Sequence, residues 1–219
     1  LFPTNFFLAG GAYFIPGKFS LLNKYIAQPT VDEVEKIVPE NINFLKMIGG
    51  EKITTSENET TIVFPDILPR ESSLEKLISA KRNVIYPYEE ISLPNEYVLE
   101  DLFKEALINY RSKLKELNVV IDRQISFFIH EKLVYSDDLD DLKVVSNEKY
   151  ILKIESNNNA VPSSFLKIHI EEKVFYGCIT NKLIWNIVLS GSLCAYDRVP
   201  NTFEPEVLFG LNYLTKRTV

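Results

Sequence analysis

Apolar positions recur along this chain at two different periods, and the change from one to the other organises its second half. Between about residues 96 and 117, Val98, Leu102, Ala106, Tyr110, Leu114 and Leu117 return every three or four residues. Glu100, Asp101, Lys104, Arg111, Lys115 and Glu116 fill the opposite side, so the spacing predicts an amphipathic helix that lays one stripe on a core. After Asn118 the period falls to two. Residues 124–135 are strand-like, Tyr150, Leu152 and Ile154 alternate with Lys153 and Glu155, and Leu166, Ile168 and Ile170 share one side of a later run. The acidic group Asp137, Asp138, Asp140 and Asp141 and the triplet Asn157, Asn158 and Asn159 read as turns between these strands. Such alternation predicts an antiparallel meander rather than a parallel sheet. Two short helices close the pattern, over 181–189 and from Pro205 onward, where a missing first-turn N–H costs nothing.

The first half is less regular. Residues 6–9 suit a short buried strand ended by Gly10 and Gly11, and Pro16-Gly17 marks a turn. Thr30 and Glu33 form a capping box for a helix from 31 to about 38, stopped near Pro39. Residues 43–48 read as a strand running into Gly49-Gly50. From 53 to 68 the pattern weakens, with Pro65 and Pro69 bracketing an irregular connection. A boundary is expected there, giving units 1–68 and 69–219. Residues 83–94, with Pro87 and Pro94, read as a surface loop.

Composition adds limits. Hydrophobic residues make up 46% of the 219 positions, too many for a disordered chain. The net charge of -6 repels phosphate backbones, and Lys81-Arg82 and Lys216-Arg217 are too short as basic clusters to offset it, so nucleic acid is not an expected partner. Cys178 and Cys194 lie in apolar runs; a single disulfide between them is one reading, but a secreted chain of this size would often carry more, and buried free thiols are expected. No apolar run approaches the ~18–20 residues of a membrane span, and no signal-peptide pattern is seen, so a cytoplasmic protein is expected. The chain opens on Leu1 and its one methionine is Met47, which suggests a piece of something longer, with chemistry upstream.

Several motifs fail on spacing. A phosphate-binding loop ending at Gly17-Lys18 would need Gly at Ala12 and a hydroxyl at Phe19. His130 and His169 are each isolated in strand-like runs, short of the three or four ligands that zinc requires, so no metal site is expected within the chain. The acidic run lacks the Gly and terminal Glu of a calcium loop, and Ser190-Gly191-Ser192 does not make a nucleophile elbow. No catalytic residue is assigned.

Two stretches carry a family resemblance. Residues 5–14 (NFFLAGGAYF), Gly17 to Asn23 (GKFSLLN), 29–34 (PTVDEV) and the Gly49-Gly50-Glu51 turn resemble the last strand–loop–helix–strand unit of metallo-β-lactamase-fold proteins of the CMP-N-acetylneuraminate hydroxylase and UDP-N-acetylmuramate hydroxylase type. Residues 184–192 (IWNIVLSGS) and 197–207 (DRVPNTFEPEV) resemble the tail of the same proteins, and this region is also similar to sterol-carrier-protein-2-like domains. The resemblance implies an α/β to α+β protein: the closing unit of a metallo-β-lactamase-like sandwich over 1–68, then a helix and an antiparallel sheet with short helices. The family's His-x-His-x-Asp-His cluster and the Rieske motif of some relatives are absent from this sequence, so catalytic and metal residues are not carried over. Position is what carries over: the loop 10–23 would border a pocket, with Tyr13, Lys18 and Asn23 as substrate contacts.

Two functions follow as expectations. In the first, the chain completes a metal-dependent hydrolase or hydroxylase acting on a polar, amino-sugar-like substrate. A divalent metal, zinc or iron, and the metal-binding half would lie upstream or on a separate chain, and a homo-oligomer is compatible with this reading. In the second, residues ~120–219 are a non-catalytic, sterol-carrier-like module that binds an apolar ligand or a partner protein. Its wall would include Trp185, Ile187, Leu208 and Leu211.

Overall fold

A computed structural model describes residues 5–6, 14–25, 29, 31–46, 52–55, 60–63, 76–95, 97–121, 123–138, 141–154, 164–202 and 204–216. Helices and sheets are mixed in an α+β arrangement, and the chain divides into two compact units, Leu1–Val84 and Ile85–Val219. The division falls beyond the expected boundary at 68/69 because residues 76–80 are helical and Gly17 N–H bonds the Lys81 carbonyl at 3.0 Å, tying this stretch to the first unit.

In the first unit, β1 (Asn5–Phe6) pairs parallel with β2 (Asn43–Phe44), and the rings of Phe6 and Phe44 stack 6.0 Å apart. A 3-10 helix covers Gly17–Tyr25, and α1 (Val31–Glu35) is shorter than the expected 31–38. Ile15, Phe19, Leu22, Val34 and Leu45 are buried. The stretch read as irregular contains an antiparallel hairpin, β3 (Lys52–Thr55) with β4 (Thr60–Val63). Its run of threonines is β-branched and suits a strand, although no apolar alternation announces it. Thr30 of the capping box, the strand continuation at 7–9 and the Gly49-Gly50 turn lie outside the described residues.

The second unit is built on a four-stranded sheet. β5 (Gln124–His130) and β9 (Phe165–Glu171) lie at its centre, β8 (Glu148–Ile154) flanks β5, and β10 (Cys194–Val199) flanks β9. β6 (Tyr135–Asp138) and β7 (Asp141–Val144) pair separately from this sheet and hold Asp137, Asp138 and Asp141 of the acidic run in strands rather than in a turn. The expected meander is corrected here: β5 pairs antiparallel with β8 but parallel with β9. Successive strands β5, β8 and β9 still alternate in direction. The order differs because β9 crosses to the far side of β5 instead of lying beside β8, and hydrophobic alternation is the same for either neighbour.

A 3-10 helix over Pro87–Glu90 buries Tyr88 within the stretch read as a surface loop, and the described α-helices of this unit are the long α2 (Leu99–Glu116), α3 (Glu172–Ile179), α4 (Trp185–Ser190) and α5 (Pro205–Leu211). Leu99, Phe103, Ala106 and Tyr110 form the buried stripe of α2, while Val98 and Leu117 are exposed, so the stripe starts one residue later than the sequence suggests. Both α3 and β10 are additions to the predicted elements. α3 follows β9 without a loop and ends at Asn181, whose φ of 60° is the left-handed conformation that Asn tolerates at a helix stop. The N–H groups of Lys182 and Leu183 then bond the Gly177 carbonyl, which is why the next helix begins at Trp185 rather than 181. Gly177 itself leaves room for this return, since a Cβ there would meet Leu183 Cδ1 at 2.8 Å.

Ile125, Phe127 and Ile129 of β5 are fully buried, with Ile168 and Ile170 beside them. Phe127 lies 5.1 Å from the Phe175 ring, 5.8 Å from Trp185 and 6.0 Å from Phe103, so one aromatic side chain binds the central strand to three helices. The Trp185 indole N–H donates to the Leu214 carbonyl at 3.1 Å, which satisfies the polar edge of a ring 1% exposed. Cys178 and Cys194 are buried free thiols. Among the described residues no helix is long and apolar enough to cross a membrane. Phe127→Ala is expected to lower unfolding stability by about 3–5 kcal/mol, because the cavity it leaves is walled by rings that cannot collapse onto it. Urea denaturation followed by tryptophan fluorescence would check this, and a loss under about 1 kcal/mol would contradict the central role of Phe127.

Candidate functional site

Of the three residues expected at a substrate pocket, Tyr13 lies outside the described residues. Asn23 is a loop staple. Its Oδ1 accepts the Ile15 N–H at 2.7 Å, and its Nδ2 donates to the carbonyls of Ile15 at 2.7 Å and Ser20 at 2.8 Å. Lys18 is exposed, its ammonium 5.1 Å from the centre of the neighbouring Phe19 ring. Among the described residues no three His, Cys, Asp or Glu side chains converge as a metal-binding group.

The two histidines, isolated in the sequence, meet in the structure. β5 and β9 place His130 Nε2 3.1 Å from His169 Nδ1, and Ser146 Oγ lies 3.1 Å from His130 Nδ1. Ser146 Oγ also accepts the Val134 N–H at 3.3 Å. The order hydroxyl–imidazole–imidazole is that of a nucleophile, a base and an orienting group. However, His130 is only 1% exposed and the hydroxyl is already engaged by the backbone, so the chain ties the segment after β5 to the sheet.

Next to it, the strand-to-helix junction buries two carboxylates. Glu171 accepts the Leu133 N–H at 2.8 Å, while Glu172 accepts Lys149 Nζ at 2.8 Å and the Tyr97 hydroxyl. Both buried carboxyl groups are thus hydrogen-bonded, and Glu172 also meets a cation. Burial lowers the His169 pKa, aided by His130 and Lys167 nearby. A single N···N contact also holds only one proton.

The opposite end of β5 is different. Arg123, one residue before the strand, has a side chain 3% exposed. Its Nη2 donates to Glu204 Oε1 at 2.6 Å, to the Pro200 carbonyl at 3.3 Å and, at the limit of hydrogen bonding, to Thr202 Oγ1 at 3.5 Å. Its Nε is buried without a hydrogen-bond partner among the described residues. Two cavities flank this ion pair and share Arg123, Glu204 and Val207.

The first cavity, about 230 Å³, is walled by Leu166, Leu189, Tyr196 and Leu208 and also presents Arg198 and Thr202. The second, about 300 Å³, is bordered by Val120, Ile121, Ser164 and Glu206. Among their described lining residues the charges differ in sign. Arg123 and Arg198 stand against Glu204 in the first, whereas Arg123 stands against Glu204 and Glu206 in the second. Tyr196 and Cys194 add no charge: burial pushes the Cys194 thiol up to about 12 and raises the Tyr196 phenol further. The apolar wall with few convergent polar groups is the form that small-molecule sites take.

No family model, curated protein or solved structure matches this chain.

Sequence reasoning therefore missed Arg123, which sits in no motif; a lone arginine ahead of an apolar strand is the only signal it leaves. The tail stretch 197–207, quoted above for its resemblance, supplies Arg198, Thr202 and Glu204 to the first cavity. Of the expected module wall, Leu208 lines it, Trp185 and Leu211 are core, and Ile187 is exposed.

The His169 shift carries a pH dependence. Its folded pKa is depressed, so the unfolded chain binds more protons, and the stability it contributes is present above about 6.5 and lost as pH falls through the folded value. The urea midpoint is expected to drop between pH 7.5 and 5.5, and less so in His169→Gln. Equal drops in both proteins would remove His169 as the cause.

Proposed function

We propose that residues 85–219 form a non-catalytic binding module whose ligand is a small molecule with an apolar chain and a single carboxylate. The cavity beside Arg123 carries this reading. Its apolar wall would take the chain, and the excess of cationic over anionic side chains among its described lining residues would favour a monoanion over a neutral or cationic molecule. A carboxylate can accept two parallel hydrogen bonds from the Nε and Nη2 edge of a guanidinium, and the unpartnered Nε of Arg123 supplies one of them.

Size narrows the class. About 230 Å³ corresponds to roughly eight water molecules at ~30 Å³ each. That lies below the ~300–1,000 Å³ of sites for drug-sized ligands. A short- or medium-chain fatty acid or a small aryl carboxylate fits, and a sterol does not. This narrows the sterol-carrier-like expectation to its general form, an apolar site within an α+β module. The other expectation, a closing unit of a metallo-β-lactamase-like sandwich that completes a metal-dependent enzyme, draws on the resemblance alone and is not favoured by the geometry around Arg123.

Octanoate is the probe, with 1-octanol as its neutral counterpart. Titration followed by amide chemical shifts is expected to give saturable changes around Leu166, Leu189 and Leu208, with Kd on the order of 0.1–1 mM. Octanol should bind at least about tenfold more weakly, having lost a hydrogen bond to a charged group. Leu189→Trp, which fills the cavity, should abolish the shifts. Absence of saturation up to about 10 mM, or equal binding of octanol, would overturn the reading.

A further inference from the structure

We propose that Glu204 is a built-in competitor for the ligand, an internal carboxylate that holds the Arg123 site closed until an external one displaces it; this rests on the carboxylate reading above. Among the described residues, the partners of the Arg123 guanidinium are Pro200, Thr202 and Glu204, which lie within five positions of one another. Of these, Glu204 makes the shortest bond, 2.6 Å, and occupies only one arm of the guanidinium edge. The other arm, Nε, is buried and has no hydrogen-bond partner among the described residues. Glu204 thus neutralises the charge while leaving the two-pronged geometry incomplete. A ligand carboxylate that bonds both arms gains the hydrogen bond that Glu204 leaves unmade.

Glu204 can also leave. Its side chain is 39% exposed against 3% for Arg123, so rotation carries the carboxylate into water while the cation stays in place. It stands at the N-cap of α5 but makes no side-chain cap hydrogen bond, so no capping bond is broken when it moves. Ligand binding becomes an exchange of one carboxylate for another. The buried guanidinium is never left without a counter-charge, which would otherwise be strongly destabilising. Apparent affinity is then the intrinsic affinity reduced by the fraction of molecules in which Glu204 is off Arg123.

The test compares octanoate binding by the wild-type chain, Glu204→Gln and Glu204→Asp, using calorimetry, with circular dichroism to confirm folding. Glu204→Asp keeps the charge and shortens the reach; Glu204→Gln keeps the reach and removes the charge. With Glu204 on Arg123 about nine-tenths of the time, both variants bind roughly tenfold more tightly than wild type. Unchanged or weaker binding by Glu204→Asp overturns the competitor role, even if Glu204→Gln binds more tightly, since a change in net charge alone would then account for it. Should Glu204→Gln fail to fold, Glu204→Asp decides by itself. Absence of octanoate binding in the wild type and in both variants instead overturns the carboxylate-binding module.

Discussion

Burial of β5 is the constraint on which the second unit depends. Ile125, Phe127 and Ile129 are sealed against helices, and β8 and β9 occupy both edges of the strand, so neither its sides nor its inner face meets water. A strand held in this way carries its flanking residues into the interior as well. Arg123 at one end and His130 at the other are polar side chains buried by the position of their backbone, and each must find partners where it lies.

The two ends resolve this differently. At the His130 end the network closes on itself: Ser146, His130 and His169 form a chain of hydrogen bonds, and Glu171 and Glu172 beside it are met by a backbone amide, a lysine and a tyrosine. Closed networks of this kind rigidify a structure. At the Arg123 end the network is left open. One guanidinium nitrogen has no hydrogen-bond partner among the described residues, two cavities are lined in part by the arginine, and its counter-charge comes from a residue that is partly in solvent. The closed end satisfies its polar groups internally and the open end does not, although both begin from the same burial of one strand.

Local periodicity made much of this unit legible. The spacing of Ala106 and Tyr110 placed α2, and the alternation of Leu152 with Ile154 and of Leu166, Ile168 and Ile170 placed β8 and β9 and their inward faces. Periodicity is silent about neighbours, so it could not say that β9 lies beside β5. It also failed at α3, where the helix is buried nearly all round, since Val174, Phe175, Tyr176, Cys178 and Ile179 leave no polar face to reveal a period. The threonine-rich hairpin of the first unit lacked an apolar signal altogether.

By itself, the sequence indicated which segments become strands or helices over most of the second unit, favoured buried free thiols over a single disulfide for the two cysteines, and left no described helix able to span a membrane. These follow from hydrophobic pattern and composition, which act over a few residues. Tertiary structure alone decided that His130 meets His169 and that Arg123 meets Glu204 across eighty-one positions. The reason is that strand order, not strand identity, selects the partners of a side chain, and order is set by how whole elements share one core.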